Sequence, residues 1–102
     1  MIAAQSKLAE GFLCFTTHRS FDEELNTPWQ ETGKRLFALL GEKGVKPRTV
    51  AFAGQVHGSH IEEIKGANGA VQRIPRCDGL VTAERGVFLA VRTADCLPVV
   101  LV

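Results

Sequence analysis

Residues 27–40 read TPWQETGKRLFALL, and residues 49–57 read TVAFAGQVH. The first stretch has the marks of a helix. Thr27 is placed to be its N-cap, Pro28 its first helical residue, and Gln30 the partner that closes a capping box. Apolar Trp29, Leu36, Phe37 and Leu40 recur at offsets of 7, 8 and 11, which is helical spacing. Gly33 falls on the same face and allows close packing, at some cost in helix propensity. Gly41 and Gly44 punctuate the end. The second stretch, rich in apolar and β-prone residues, reads as a strand.

Working outward, the rest of the chain also reads as strands. Gly11 to Thr17 (GFLCFTT) is one, before a polar loop from His18 to Asn26. Ser59 to Lys65 (SHIEEIK) is only partly alternating and suits an edge. Ala70 to Ile74, Asp78 to Thr82, Val87 to Thr93 and Pro98 to Val102 follow. Gly66-Ala67-Asn68-Gly69 is a turn signal, and Glu84-Arg85-Gly86 suits a tight hairpin. The order is one strand, one helix, then a run of strands. That predicts an α+β fold with a mixed or antiparallel sheet, not a βαβ repeat.

The chain has 102 residues, 45% hydrophobic and 23% charged, with 10 Gly and 4 Pro. These values exclude disorder, collagen and coiled coil. Net charge is +1, and no basic tract or aromatic-basic stripe points to nucleic acid. No apolar run is long enough to span a membrane. Cys14, Cys77 and Cys96 are an odd set at irregular spacing, not a disulfide framework. The start, MIAAQSK, lacks a signal peptide's basic and apolar regions, so a reducing cytoplasm is the expected compartment. The sequence ends on an apolar run, Leu97 to Val102, which is unusual because chain termini tend to lie at the surface.

Three patches carry candidate chemistry: Gln55-Val56-His57-Gly58, Cys77 to Thr82 (CDGLVT) and Arg92 to Pro98 (RTADCLP). Each puts a polar or ligating residue at a strand end beside Gly or Pro, where sites tend to be built. The imidazole of His57 and the thiolate of Cys96 are both good ligands for zinc or copper. Read alone, His57 also suits a strand-end histidine bonded to backbone, and Cys96 a buried inert thiol. Asp95 beside Cys96 raises a thiol's pKa unless a metal or a cation compensates, and Arg92 is placed to be that cation. His60 has an odd offset from His57 and points away on a regular strand. Cys14 sits among Phe12, Leu13 and Phe15 and suits the core, while Cys77 stands beside the Asp78-Gly79 turn. Asp78 and Asp95 suit either turn residues or acid–base groups.

QVHG at 55–58, CDGLVT at 77–82 and RTADCLPVVL at 92–101 together resemble the laccase-domain, or multicopper polyphenol oxidoreductase, family, also called YfiH-like proteins. That family includes purine nucleoside phosphorylase and adenosine deaminase enzymes. The resemblance implies a layered α/β sandwich, of which this chain is the N-terminal part of a single domain, residues 1–102. It implies a metal, zinc or else copper, held by His57 and Cys96, with a third histidine from a later HAGWRG-like motif that has no counterpart here. It implies a purine nucleoside and phosphate as substrates. A metal that lowers the pKa of water suits deamination, and Arg92 or Arg19 suits a bound phosphate. Asp78, Asp95 and Arg92 are the implied catalytic groups. The loop Thr16-Thr17-His18-Arg19-Ser20-Phe21 departs from the family's TTRxGG-like pattern.

The laccase label fails on arithmetic. A blue-copper centre alone takes two His and a Cys. Three His and one Met leave nothing for a further copper cluster. Two alternatives stand beside the nucleoside enzyme. One is a metal-free cysteine hydrolase with Cys96 as nucleophile, His57 as base and an Asp as orienter. The other is an inactive fragment that forms a homo-oligomer through an open sheet edge.

Overall fold

The computed structural model describes residues 2–6, 12–17, 28–66, 69–93 and 97–101. In chain order the elements are β1 (Ile2–Ser6), β2 (Cys14–Thr17), α1 (Trp29–Glu42), β3 (Thr49–Ala53), β4 (Ile61–Glu63), β5 (Val71–Ile74), β6 (Gly79–Val81) and β7 (Val87–Ala90). One helix with strands on either side of it agrees with the α+β expectation.

The organising element is β3. All five of its residues are buried. It lies between β5 and β7 and pairs with both in parallel, Val50 opposite Val71 on one side and Phe88 on the other. A strand covered on both faces reads as an unbroken apolar run, the pattern parallel sheets produce. Strands β4 and β6 make a second parallel pair, and β1 with β2 an antiparallel one. The expected mixed or antiparallel sheet is therefore corrected. Parallel neighbours need a crossover to bring the chain back to the same end. The excursions that do so here carry β4, between β3 and β5, and β6, between β5 and β7.

The hairpin expected at Glu84-Arg85-Gly86 is corrected for the same reason. It would pair β6 with β7, and each has another partner. Gly86 instead turns the chain at φ +79°. Its carbonyl accepts the Arg48 N–H at 2.7 Å, just ahead of β3. Residues 97–101 form no strand and are exposed, Leu97 at 85% and Leu101 at 89%, so the expected strand Pro98–Val102 is not found over them. Strand β1 went unpredicted. Its sequence IAAQS has little β-branched character, and its pairing with β2 comes from outside the segment.

Helix α1 packs on β3 and β5. Leu40, Val50 and Phe52 are buried together at the centre, with Trp29, Leu36, Phe37, Val71 and Phe88 packed around them. Gly33 is where the helix touches the sheet. A Cβ there would stand 2.3 Å from Val71 Cγ1 and 3.2 Å from Phe52 Cε2. The close packing expected of this glycine is thus present.

The helix begins at Trp29, one residue after the expected start. Pro28 holds the capping position, and its carbonyl accepts the N–H groups of Glu31 and Thr32. Pro28 makes no side-chain cap bond, and the expected capping box of Thr27 with Gln30 lies outside the described residues because Thr27 does. At the other end Gly44 takes φ +78°. The Gly44 N–H reaches the Gly41 carbonyl at 3.0 Å and the Val45 N–H the Leu40 carbonyl at 2.9 Å. This is a Schellman ending, which needs a left-handed residue and so favours glycine. Among the described residues no helix is long and apolar enough to cross a membrane.

Candidate functional site

Strand β3 stops at Ala53, and the chain turns sharply through Gly54 to Gly58. His57 is therefore a turn residue and not a strand-end residue. Gln55 and His57 both sit in the left-handed region, at φ +57° and +59°. Each such non-glycine residue costs on the order of 1 kcal/mol and persists only when neighbours enforce it. Here the neighbours are specific.

The Gln55 side-chain amide meets the backbone of Arg92 with both of its ends. Nε2 donates to the Arg92 carbonyl at 2.7 Å, and Oε1 accepts the Arg92 N–H at 2.9 Å. The Gln55 backbone N–H donates to the Cys77 carbonyl at 2.8 Å. The Asp78 carboxylate closes the other side of the turn. Its Oδ1 accepts the N–H groups of Val56 at 2.9 Å and His57 at 2.8 Å, and its Oδ2 accepts that of Gly58 at 2.8 Å. Successive N–H groups aimed at one anion form a nest. The Gly58 N–H above all, with help from His57 and Val56 and against some desolvation, holds the Asp78 carboxyl below the usual aspartate range. A Cβ at Gly58 would come within 3.3 Å of Asp78 Oδ2, so glycine suits the approach.

The three patches singled out in the sequence are thus hydrogen-bonded into one unit. His57 is exposed, and among the described residues no hydrogen bond engages its ring. A borderline-soft imidazole nitrogen presented to solvent on an enforced turn fits a zinc or copper ligand. Cys96 and Asp95 lie outside the described residues. Arg92 points its guanidinium at the helix, where Nη2 donates to the buried Thr32 hydroxyl. Beside the turn, Gly58, Ser59, His60, Ile61, Asp78 and Gly79 line a shallow concavity of about 240 Å³.

Other candidates are placed elsewhere. His60 is exposed and its Nε2 lies 2.7 Å from Glu62 Oε2. The strand offset used to set it aside does not apply, because β4 starts only at Ile61. Cys77 is fully buried, with its thiol donating to the Ile74 carbonyl at 3.3 Å. Cys14 is half-buried on β2. His18 and Arg19 fall outside the described residues. Among the described residues, no three His, Cys, Asp or Glu side chains come together. The residue that sequence reasoning undervalued is Gln55. A polar side chain one residue past an apolar strand, inside the QVHG patch, was the available signal.

A family model described as multi-copper polyphenol oxidoreductase laccase matches residues 30–102. The chain belongs to this family. The match takes in all three hydrogen-bonded patches and all but the first residue of the helix that packs beside them. Several curated relatives carry a different activity in their names. A purine nucleoside phosphorylase of Streptomyces griseus is 48% identical over 58 residues, 57% of this chain and 24% of its own length. One of Streptomyces coelicolor matches to the same extent, 48% over 58 residues. One of Xylella fastidiosa is 38% identical over 69 residues, 66% of this chain and 25% of its own. The chain therefore spans about a quarter of the length of the curated relatives it matches. No solved structure matches it significantly.

Proposed function

We propose that this chain belongs to a metal-dependent purine nucleoside phosphorylase of the cytoplasm, acting on a purine nucleoside and phosphate, with adenosine deamination as a related activity. The 102 residues are read as the N-terminal part of one such domain. The observation that carries the reading is the linkage of the QVHG turn to both other patches through Gln55 and Asp78, in a chain whose relatives bear the phosphorylase name.

His57 and Cys96 are the residues that would hold the metal, zinc or else copper, and the bound ion supplies a Lewis acid beside the reacting nucleoside. The chain's own groups do the rest. Phosphorolysis joins a phosphate oxygen to the ribose C1′ as the bond from C1′ to the purine nitrogen breaks, and the leaving base takes up a proton. Arg92 is the candidate cation for phosphate. Its guanidinium is steadied on Thr32, at the edge of the helix that backs the site. Asp95 is the candidate for proton handling. The Asp78 carboxylate is committed to three amides, which suits orientation and not proton transfer.

The test is made on the complete gene product. Purified protein is analysed for bound metal, then given inosine or adenosine with phosphate. Free purine base, ribose 1-phosphate and bound metal are the expected results. Absence of both metal and free base overturns the proposal.

A further inference from the structure

We infer that Asp78 is a positioning residue, whose carboxylate fills the backbone nest of Val56, His57 and Gly58 and thereby sets the direction in which His57 presents its imidazole. The geometry carries this. One carboxylate takes three consecutive N–H groups, each at 2.8 to 2.9 Å. The residue in the middle of the three is in a left-handed conformation that it would otherwise avoid, at φ +59°. An anion in a nest of this kind stabilises the alternating backbone that forms it.

The second anchor is independent. Gln55, also left-handed, is held through its side chain to Arg92 and through its N–H to Cys77. With Gln55 alone the turn is fixed at its entry and free at its exit. Asp78 supplies the exit. It does so from the residue next to Cys77, so one short segment, Cys77-Asp78, grips the turn at both ends. Partners that orient a ligating histidine are worth 10–100-fold in metal affinity when lost, as an order of magnitude.

The inference rests on His57 being a ligand, and the experiment separates the two. Asp78→Ala and the isosteric Asp78→Asn are prepared in the complete gene product. Zinc affinity is measured by competition with a chromophoric chelator, and the Val56, His57 and Gly58 amide resonances are followed by NMR. In Asp78→Asn, the amide NH₂ replaces one acceptor oxygen and can face an N–H donor, so the nest loses a partner. Both variants are expected to bind zinc about 10-fold or more weakly. The three amides are expected to shift and lose exchange protection. Added formate is expected to restore both readouts in Asp78→Ala by refilling the nest, which repair of general stability would not do.

The inference is overturned if Asp78→Asn leaves zinc affinity and the three amides as in wild type. It is also overturned if kcat falls in both variants while zinc affinity and the amides stay unchanged, the pattern of a proton-transfer group. If the variants lose their fold at large and formate restores nothing, Asp78 is structural and the inference falls. If wild type binds no zinc, or His57→Ala binds it equally well, the ligand reading fails. The amide shifts and their rescue by formate then decide the clamp alone.

Discussion

The side-chain amide of Gln55 stands in for a strand partner to Arg92, donating to its carbonyl at 2.7 Å and accepting its N–H at 2.9 Å across 37 residues of sequence. It joins the turn that carries His57 to the segment that leads toward Cys96. Gln55→Leu removes both bonds to the Arg92 backbone. The expected loss is about 2–3 kcal/mol, read as a drop in thermal midpoint. Gln55→Glu keeps the acceptor for the Arg92 N–H but sets a carboxylate oxygen against the Arg92 carbonyl. It should lower activity at least as much as Gln55→Leu. A Gln55→Leu protein with unchanged stability would remove the link from the account.

His57 sits at φ +59° without any bond of its own ring among the described residues, so the fold has no visible need of its side chain. His57→Gly keeps the N–H that Asp78 accepts and relieves the strained backbone. After the extra entropy of a glycine in the unfolded chain, the expected change is small, a gain of about 0–0.5 kcal/mol. Metal binding and activity should be lost at the same time. Thermal unfolding and metal analysis on one preparation measure both. A large loss of stability would mean that His57 is structural.

Gly33 lets α1 sit directly on Val71. In Gly33→Ala, helix propensity improves by about 1 kcal/mol. The new methyl would lie 2.3 Å from Val71 Cγ1 and 2.9 Å from Cγ2, so helix and sheet must separate or Val71 must turn. Overpacking of this kind costs about 1–3 kcal/mol. The expected outcome is a lower midpoint of unfolding, recovered in part by adding Val71→Ala. A midpoint above wild type would show that the contact yields easily.

Chelation and thiol modification separate the metal reading from a cysteine hydrolase. Exhaustive removal of metal should abolish activity, and re-addition of zinc should restore it. Activity that survives removal favours Cys96 as a nucleophile. Cys77 will not complicate the thiol count in the native protein, because it is fully buried and its thiol is turned to the Ile74 carbonyl. Alkylation in native buffer followed by peptide mapping should leave it unlabelled, and rapid labelling would contradict the burial.

How much of this could be read from residues alone divides along one physical line. Signals local to a segment were legible. The 29–42 helix shows in the spacing of Trp29, Leu36, Phe37 and Leu40, and its end shows in Gly44. Gly33 was recognisable as a packing residue, and the segments of His57, Asp78 and Arg92 as the three patches that the structure hydrogen-bonds together. Strand direction was not legible, because the pairing of β3 with β5 and β7 is decided by crossovers, not by β3 itself. The unbroken apolar run from Val50 to Ala53, buried throughout, was the available hint of a parallel centre. The strand expected to run to His57 stops at Ala53, since the left-handed Gln55 and His57 are imposed by Arg92, Cys77 and Asp78 from far along the chain. The same distance hid the work of Gln55.

The central claim is that the His57 turn serves phosphorolysis of a purine nucleoside. Its most direct test follows base release from inosine by the complete gene product, with and without phosphate, beside His57→Gly. The account predicts release that requires phosphate, yields ribose 1-phosphate and disappears in His57→Gly. Release that ignores phosphate, or that proceeds at the same rate in His57→Gly, would contradict it.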